Sequence, residues 1–278
     1  MNKTALVTGA SSGIGEAIAI RLASMGIKTY AAARRIERME HLKQYGIHVI
    51  QLDITDDHTI RECVTQINLE SGGIDILVNN AGYGSYGSIE EVPIEEAKRQ
   101  FDVNLFGLAE LTQIIIPYMR NKRWGRVINV SSIGGAFASP YGGWYHATKF
   151  ALEGFSSALR QELKPFDVDV VIIRPGAIQT EWSTIAADSL LKTSGNGPYR
   201  KAAQALYGLF TSNKLKNMAA HPSVVADAVQ KAIQSKCPKS IYTAPFLGNV
   251  MVRAMKLASV DSVRDSLNRS FMNLPKQM

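Results

Sequence analysis

The chain has 278 residues, 46% of them apolar and 20% charged, with two cysteines and a formal net charge of +7. This balance, with no low-complexity stretch, describes a globular protein and excludes disordered and disulfide-framework chains. No apolar run approaches the ~20 residues of a membrane-spanning helix. Met1-Asn2-Lys3 leads straight into a strand, which leaves no room for a signal peptide and makes the cytoplasm the expected location.

In chain order, Thr4–Val7 reads as a buried strand and a helix follows from about Ile14 to Met25, closed by Gly26. Lys28–Ala33 is a second strand, Ile36–Tyr45 is helical and closed by Gly46, and His48–Leu52 is a third strand. A helix covers about Asp57 to Glu70, with Asp56 or Asp57 as its N-cap, and Ile74–Val78 is a fourth strand. Helical pattern runs from Ile94 to about Met119 in two segments. Val127–Val130, the helix Tyr141–Leu163 and the strand Val168–Ile173 follow. Val224–Ile233 reads as a helix and Ile241–Thr243 as a short last strand.

Near-continuous apolar strands alternating with helices predict an α/β fold, a doubly wound parallel sheet of Rossmann type in a single domain spanning 1–278. Ligands in such folds lie beyond the carboxyl ends of the strands. Gln179–His221 breaks the rhythm and carries Gly195, Gly197 and Pro198, so it is expected to be a lid over a substrate. Residues 246–278 are expected to form a C-terminal helical tail. The two cysteines, Cys63 and Cys237, suit neither a disulfide nor a metal site, so no metal is expected.

Thr8-Gly9-Ala10-Ser11-Ser12-Gly13-Ile14-Gly15 follows the first strand and opens the first helix, as a dinucleotide-binding turn requires. Gly9 permits the turn, while Gly13 and Gly15 let backbone approach a pyrophosphate at the positive helix end; a tight turn without ligand is the plainer alternative. The second strand ends in Arg34 and Arg35, with no acid to accept a ribose 2′-hydroxyl. A guanidinium suits a 2′-phosphate, so NADP(H) is preferred over NAD(H), with Arg34 the first choice and Arg35 its helper; an ordinary basic loop is the alternative. Asp53, followed by Ile54 after the third strand, either binds an adenine amino group or caps a helix.

Tyr145 and Lys149 stand four residues apart, one turn apart on one helix face. A free phenol with a pKa near ~10 is a poor base at neutral pH, and a neighbouring cation favours its phenolate. Asn79-Asn80-Ala81-Gly82 places small residues at a strand end, where a cofactor can lie close to backbone and an asparagine can stitch strands together.

These motifs, in this order, resemble the short-chain dehydrogenase/reductase family from about Lys3 to Thr180: the glycine turn, Asn79 to Gly82, Asn104, Ser132, Tyr145 with Lys149, and Pro175-Gly176. The resemblance implies that Tyr145 is the acid/base for a carbonyl or alcohol, that Lys149 lowers its pKa and binds the nicotinamide ribose, and that Ser132 holds the substrate oxygen. Asn104 would anchor a water of the proton relay. Ser132 rather than Ser131 is selected because the family's serine lies thirteen positions before its tyrosine. Asn80, Ala81 and Gly82 would lie near the cofactor, and Pro175, Gly176, Ile178 and Thr180 near its carboxamide. Ser11, Ser12 and Ile14 complete the cofactor set, and Thr148 stands where serine is commoner. Arg34, Ser132, Tyr145 and the long lid resemble the hydroxysteroid and retinol dehydrogenase branch.

The expected function is hydride transfer between the nicotinamide and an apolar ketone, aldehyde or alcohol, with reduction favoured by the NADPH preference. The alternative is a non-catalytic NADP(H)-binding regulator, against which the intact set Asn104, Ser132, Tyr145 and Lys149 stands. Trp144, Trp182, Phe137, Tyr207 and Phe210 are candidates for an apolar pocket wall or for plain packing, and Tyr141 for packing. From Lys236 onward seven basic residues face two acidic ones, which reads as a solvated basic surface rather than a nucleic-acid site. Phe246–Ala258 has an apolar stripe with Arg253 and Lys256 elsewhere. Packing on its own domain is the usual reading of that stripe, and contact with an anionic membrane the alternative. The family's usual interface, around Asn104–Met119 and Tyr145–Leu163, implies a homodimer or homotetramer.

Overall fold

The computed structural model describes residues 3–257, together with Val263, Ser266 and Ser270. Its strands are β1 (Thr4–Thr8), β2 (Lys28–Ala33), β3 (His48–Gln51), β4 (Ile76–Asn79), β5 (Gly125–Val130), β6 (Val168–Pro175) and β7 (Ile241–Ala244). The helices are α1 (Gly13–Ser24), α2 (Asp57–Ser71), α3 (Ile94–Phe101), α4 (Gly107–Lys122), α5 (Gly143–Leu163), α6 (Trp182–Ser194), α7 (Arg200–Thr211), α8 (Asn213–Met218), α9 (Ser223–Gln234) and α10 (Phe246–Leu257). The strands form one sheet in the order β3-β2-β1-β4-β5-β6-β7, and every neighbouring pair is parallel.

The apolar strands explain this layering. Alternate residues of a strand face opposite sides of a sheet, and here both sides are apolar. Ala5, Val7, Ile76 and Val78 pack with Ile18 and Leu22 of α1 and Val225 and Val229 of α9 on one face. Leu6 and Leu77 pack with Ile60 and Ile67 of α2, Leu111 and Ile115 of α4, and Leu159 of α5 on the other. Strand order reverses between β1 and β4, and the crevice beyond their carboxyl ends is where ligands of such sheets bind. Asp56 is the N-cap of α2, its carboxylate accepting from the His58 amide.

Three stretches differ from the sequence-based expectation. Ile36–Tyr45 is a run of 3-10 turns, not an α-helix, closed by Gly46 in the left-handed region. Ile36, Met39, Leu42 and Tyr45 recur every third residue, the period of a 3-10 helix, and Met39 and Leu42 are the buried pair of that face. The two helical segments expected between Ile94 and Met119 are joined without a break by the π-helical turn Asp102–Phe106. There the bare backbone of Gly107 comes so close to Ile54 that a Cβ would sit 1.9 Å from its carbonyl oxygen. Gln179–His221, expected as a lid with no assigned elements, holds three helices, α6, α7 and α8. Ala186, Leu190, Ala202, Ala203 and Leu206 from α6 and α7 are buried together with Tyr86, Tyr141 and Tyr145. Of the expected helical tail 246–278, α10 covers Phe246–Leu257; the rest, apart from the three residues named above, lies outside the described residues.

Candidate active site

The glycine-rich turn is locked from β4. The Thr8 hydroxyl accepts from the Asn80 and Ala81 amides, both at 3.0 Å, and the Asn80 side chain donates to the Thr8 and Gly9 carbonyls at 3.0 and 3.2 Å. Gly9 and Gly13 have φ of +65° and +60°, which an L side chain rarely adopts. A Cβ at Gly15 would lie 2.3 Å from the Gly9 carbonyl oxygen, and one at Gly13 would lie 2.8 Å from Thr180 Cγ2. Ser12 stands at the N-cap of α1 but its hydroxyl caps none of the helix's free N–H groups. Those donors, the helix dipole and a surface without Cβ atoms fit a pyrophosphate, with Ser11 and Ile14 in the same turn.

The other cofactor candidates lie at the same sheet edge. Arg34 and Arg35 follow β2 and are exposed. Arg38 pairs with Glu181 at 2.8 Å, so the basic cluster has one member committed across the cleft and Arg34 standing clear of that pair. One Asp53 carboxylate oxygen, Oδ1, accepts from the Thr55 amide and hydroxyl at 3.0 and 2.8 Å, so the turn after β3 already uses it. Ile54 is buried beside Gly107. Pro175 ends β6 in register with Ala244 of β7 and Gly176 follows it, Ile178 bridges to Ala220, and Thr180 lies against Gly13 of the glycine turn.

The catalytic candidates meet at the head of α5. Ser132 follows β5, and its Oγ accepts from the Gly134 amide at 3.0 Å, which leaves its proton to donate outward. The Tyr145 hydroxyl is hydrogen-bonded to Ser132. Ser131 turns the other way and donates to Glu153 Oε1 at 3.0 Å. Glu153 also accepts from Arg174 Nε at 2.7 Å, a pair in which both side chains are largely buried and which braces β6 against α5 under the site. His146 clamps the intervening loop. Its Nδ1 lies 2.9 Å from the Gly134 carbonyl and its Nε2 2.9 Å from the Ser139 hydroxyl, and burial holds its pKa below the usual value.

Lys149 Nζ lies 5.9 Å from the centre of the Tyr145 ring and donates to the Val130 carbonyl at 3.0 Å. The expected depression of the phenol does not follow from this placement. Burial among aromatic rings pushes Tyr145 up to about 12, opposed only by its bond to Ser132. Burial acts on the lysine in the other direction and brings Lys149 down to about 8, opposed by the charge of Glu153. Asn104, fully buried in the π-helical turn, accepts from the Tyr83 amide at 3.0 Å and donates to the Tyr83 carbonyl at 2.9 Å and to the Thr148 hydroxyl at 3.1 Å. A Cβ at Gly82 would lie 3.0 Å from Asn104 Oδ1 and 3.7 Å from Lys149 Nζ, so these three positions converge. Thr148, which stands where serine is commoner, donates its hydroxyl to the Tyr145 carbonyl at 2.8 Å and ties Asn104 to α5.

An aromatic wall covers Tyr145, which is 7% exposed. Trp182 and Tyr86 lie 5.2 and 6.0 Å from its ring centre, and Tyr86 meets Trp182 edge-on at 5.7 Å and Phe210 at 5.4 Å. Of the expected wall residues, Trp182 and Phe210 are thus brought to the site. Trp144 instead lines a surface cavity of about 400 Å³ with Ile94, Phe101 and Phe106. Tyr141 packs against Tyr199 at 6.2 Å. Tyr86, the centre of the wall, has no periodic pattern around it; its one sequence signal is a large aromatic in the glycine-rich loop after Asn79 to Gly82.

A parallel sheet with a glycine-lined helix end in its crevice, and a serine, tyrosine and lysine beside it, is the arrangement of a nucleotide-dependent oxidoreductase. The short chain dehydrogenase family matches residues 3–189, and the chain belongs to the short-chain dehydrogenase/reductase family. It is 37% identical over 231 residues to a probable short-chain type dehydrogenase/reductase, VdlC, of Helicobacter pylori, covering 76% of this chain and 85% of that one. It is 36% identical to a 3-ketodihydrosphingosine reductase of Bacteroides thetaiotaomicron, covering 84% of each. An NADPH-dependent 3-dehydrocapnine reductase of Ornithobacterium rhinotracheale is 34% identical, with 86% of each covered. A short-chain dehydrogenase from Streptomyces avermitilis superposes with a TM-score of 0.81 at 30% identity, over 97% of this chain and 96% of that one. A serine dehydrogenase complexed with NADP+ does so at 0.75 and 30%, over 86% and 93%.

Proposed function

We propose that this protein is an NADP(H)-dependent reductase of an apolar ketone, with Tyr145 as the proton donor. The observation that carries this reading is the meeting of Ser132, Tyr145 and Lys149 beside the glycine cradle, under a wall of aromatic side chains. Bound NADPH would supply hydride from its nicotinamide ring. Ser132, its oxygen held by Gly134, directs its proton at the substrate carbonyl oxygen. Tyr145 delivers a proton to that same oxygen as negative charge develops on it. A phenol held up at about 12 is protonated at neutral pH, which suits donation and therefore reduction. The Lys149 ammonium, buried close to Asn104 and Gly82, stabilises the charge left behind and orients the ribose. Two relatives are named as reductases of 3-keto and 3-dehydro compounds, which supports a ketone. The helices α6 to α8 serve as the lid, with Trp182 and Phe210 excluding water from the reacting atoms.

The preference for the phosphorylated cofactor rests on Arg34, exposed at the end of β2 and not engaged as Arg38 is. A relative named NADPH-dependent and a structural neighbour holding NADP+ support it. A charge-assisted hydrogen bond is worth about 1.5–3 kcal/mol. Arg34→Ala is therefore expected to raise the KM for NADPH by roughly 10- to 100-fold and to leave that for NADH nearly unchanged. Parallel titrations of the two cofactors at saturating ketone check this. Equal weakening of both would place the 2′-phosphate contact elsewhere.

A further inference from the structure

The last described helix presents apolar side chains on two sides. Gly248, Val252 and Met255 of α10 are buried. A Cβ at Gly248 would lie 3.3 Å from Ile133 Cγ2 and 3.6 Å from Gly176 Cα, so α10 is seated against the loop that carries Ser132 and the end of β6. The other side meets solvent: Phe246 is 78% exposed, Leu247 59% and Val250 46%. These three share one helical face, and exposed Arg253 lies one turn further on.

The charged residues of α10 itself, Arg253 and Lys256, are both basic. No acidic residue occurs on α10. The segments 179–221 and 246–278 each hold five basic and two acidic residues, so together they carry +6 of the formal net charge of +7. Among the described side chains beyond the carboxyl ends of β6 and β7, the exposed charges are Lys192, Arg200, Lys201 and Arg253 against Glu181 and Asp188.

We infer that α10 docks the protein on an anionic membrane surface, with the catalytic edge turned toward the lipid. A helix with large apolar side chains beside arginine and lysine lies in the headgroup region, held by apolar insertion and by attraction to anionic lipid. Among the described residues no helix is long and apolar enough to cross a membrane. A second copy of the chain is the poorer occupant. A two-fold interface brings a patch onto itself, and α10 carries no acid that could pair with the Arg253 of a second copy.

The test uses the full chain and sedimentation with vesicles, and it needs no turnover. Binding is expected to be at least about tenfold stronger to phosphatidylglycerol-containing vesicles than to phosphatidylcholine alone, and to weaken as salt is raised. Phe246→Ser with Leu247→Ser should abolish vesicle binding while NADPH affinity and thermal midpoint stay as in the parent. Arg253→Glu, a change at an exposed position, should weaken it separately. Absence of binding to anionic vesicles, or binding untouched by these variants, overturns the inference. So does a change in particle mass in solution on making Phe246→Ser with Leu247→Ser, which would put a second copy on this face.

Discussion

Tyr145→Phe is expected to lower kcat for ketone reduction by roughly 10²–10⁴-fold, the range of a positioned acid, with NADPH affinity unchanged. The phenylalanine ring keeps the packing against Trp182 and Tyr86 at 5.2 and 6.0 Å, so the wall stands and only the proton and its bond to Ser132 are removed. The loss should appear in kcat rather than KM, because proton donation is made only as the carbonyl oxygen gains charge. Steady-state kinetics together with a fluorescence titration of NADPH separates the two. A variant with normal turnover would assign the proton to another group.

Lys149→Met is the second large effect, and it acts in opposite directions on rate and stability. Turnover should fall by a comparable factor, roughly 10²–10⁴, because the charge beside Tyr145 is gone. Stability of the cofactor-free protein should rise at neutral pH. Burial moves the folded-state pKa of Lys149 from 10.5 to about 8. Below pH 8 the folded chain must hold a desolvated ammonium, at a cost of about 3 kcal/mol. Loss of the donor to the Val130 carbonyl takes back about 1–2 kcal/mol of this, since that acceptor becomes unpaired. Between pH 8 and 10.5 the unfolded lysine still binds the proton that the folded one has released, so parent stability rises with pH through this window. The gap between variant and parent should close there. Denaturant titrations at neutral and alkaline pH measure it. A variant less stable than the parent at every pH would mean that the buried lysine is stabilising. The same titration predicts that the reductive kcat/KM of the parent declines above about pH 8, as Lys149 loses its proton while Tyr145, at about 12, keeps its own.

The sheet was legible because its strands carry apolar residues on both faces, so β1, β2 and β4 to β7 announce themselves without any need for partner information. Glycine turns and caps marked the places where chain direction changes, and Gly46 and Asp56 close and open their elements as their residue types suggest. The period-three spacing of Ile36, Met39, Leu42 and Tyr45 was present in the sequence, but over so short a stretch it is close enough to helical periodicity to be read as α. The π-helical turn was not legible, since it depends on Gly107 meeting the Ile54 carbonyl across the fold. Nor were the roles of Tyr86, Thr148 and His146. Each is a polar or aromatic side chain whose task is set by a partner from a distant segment: Trp182 and Phe210, Asn104, and the Gly134 carbonyl. The pKa of Tyr145 illustrates the same limit. Spacing placed a cation one turn away, but the degree of burial, which decides the sign, belongs to the tertiary structure.

The central claim is that this site passes hydride from NADPH and a proton from Tyr145 to a ketone. Its most direct measurement follows NADPH absorbance across a panel of apolar ketones and quantifies the alcohol formed. The account predicts ketone-dependent oxidation of NADPH with one alcohol produced per NADPH consumed. NADPH bound at the glycine cradle but never oxidised by any apolar ketone would contradict it.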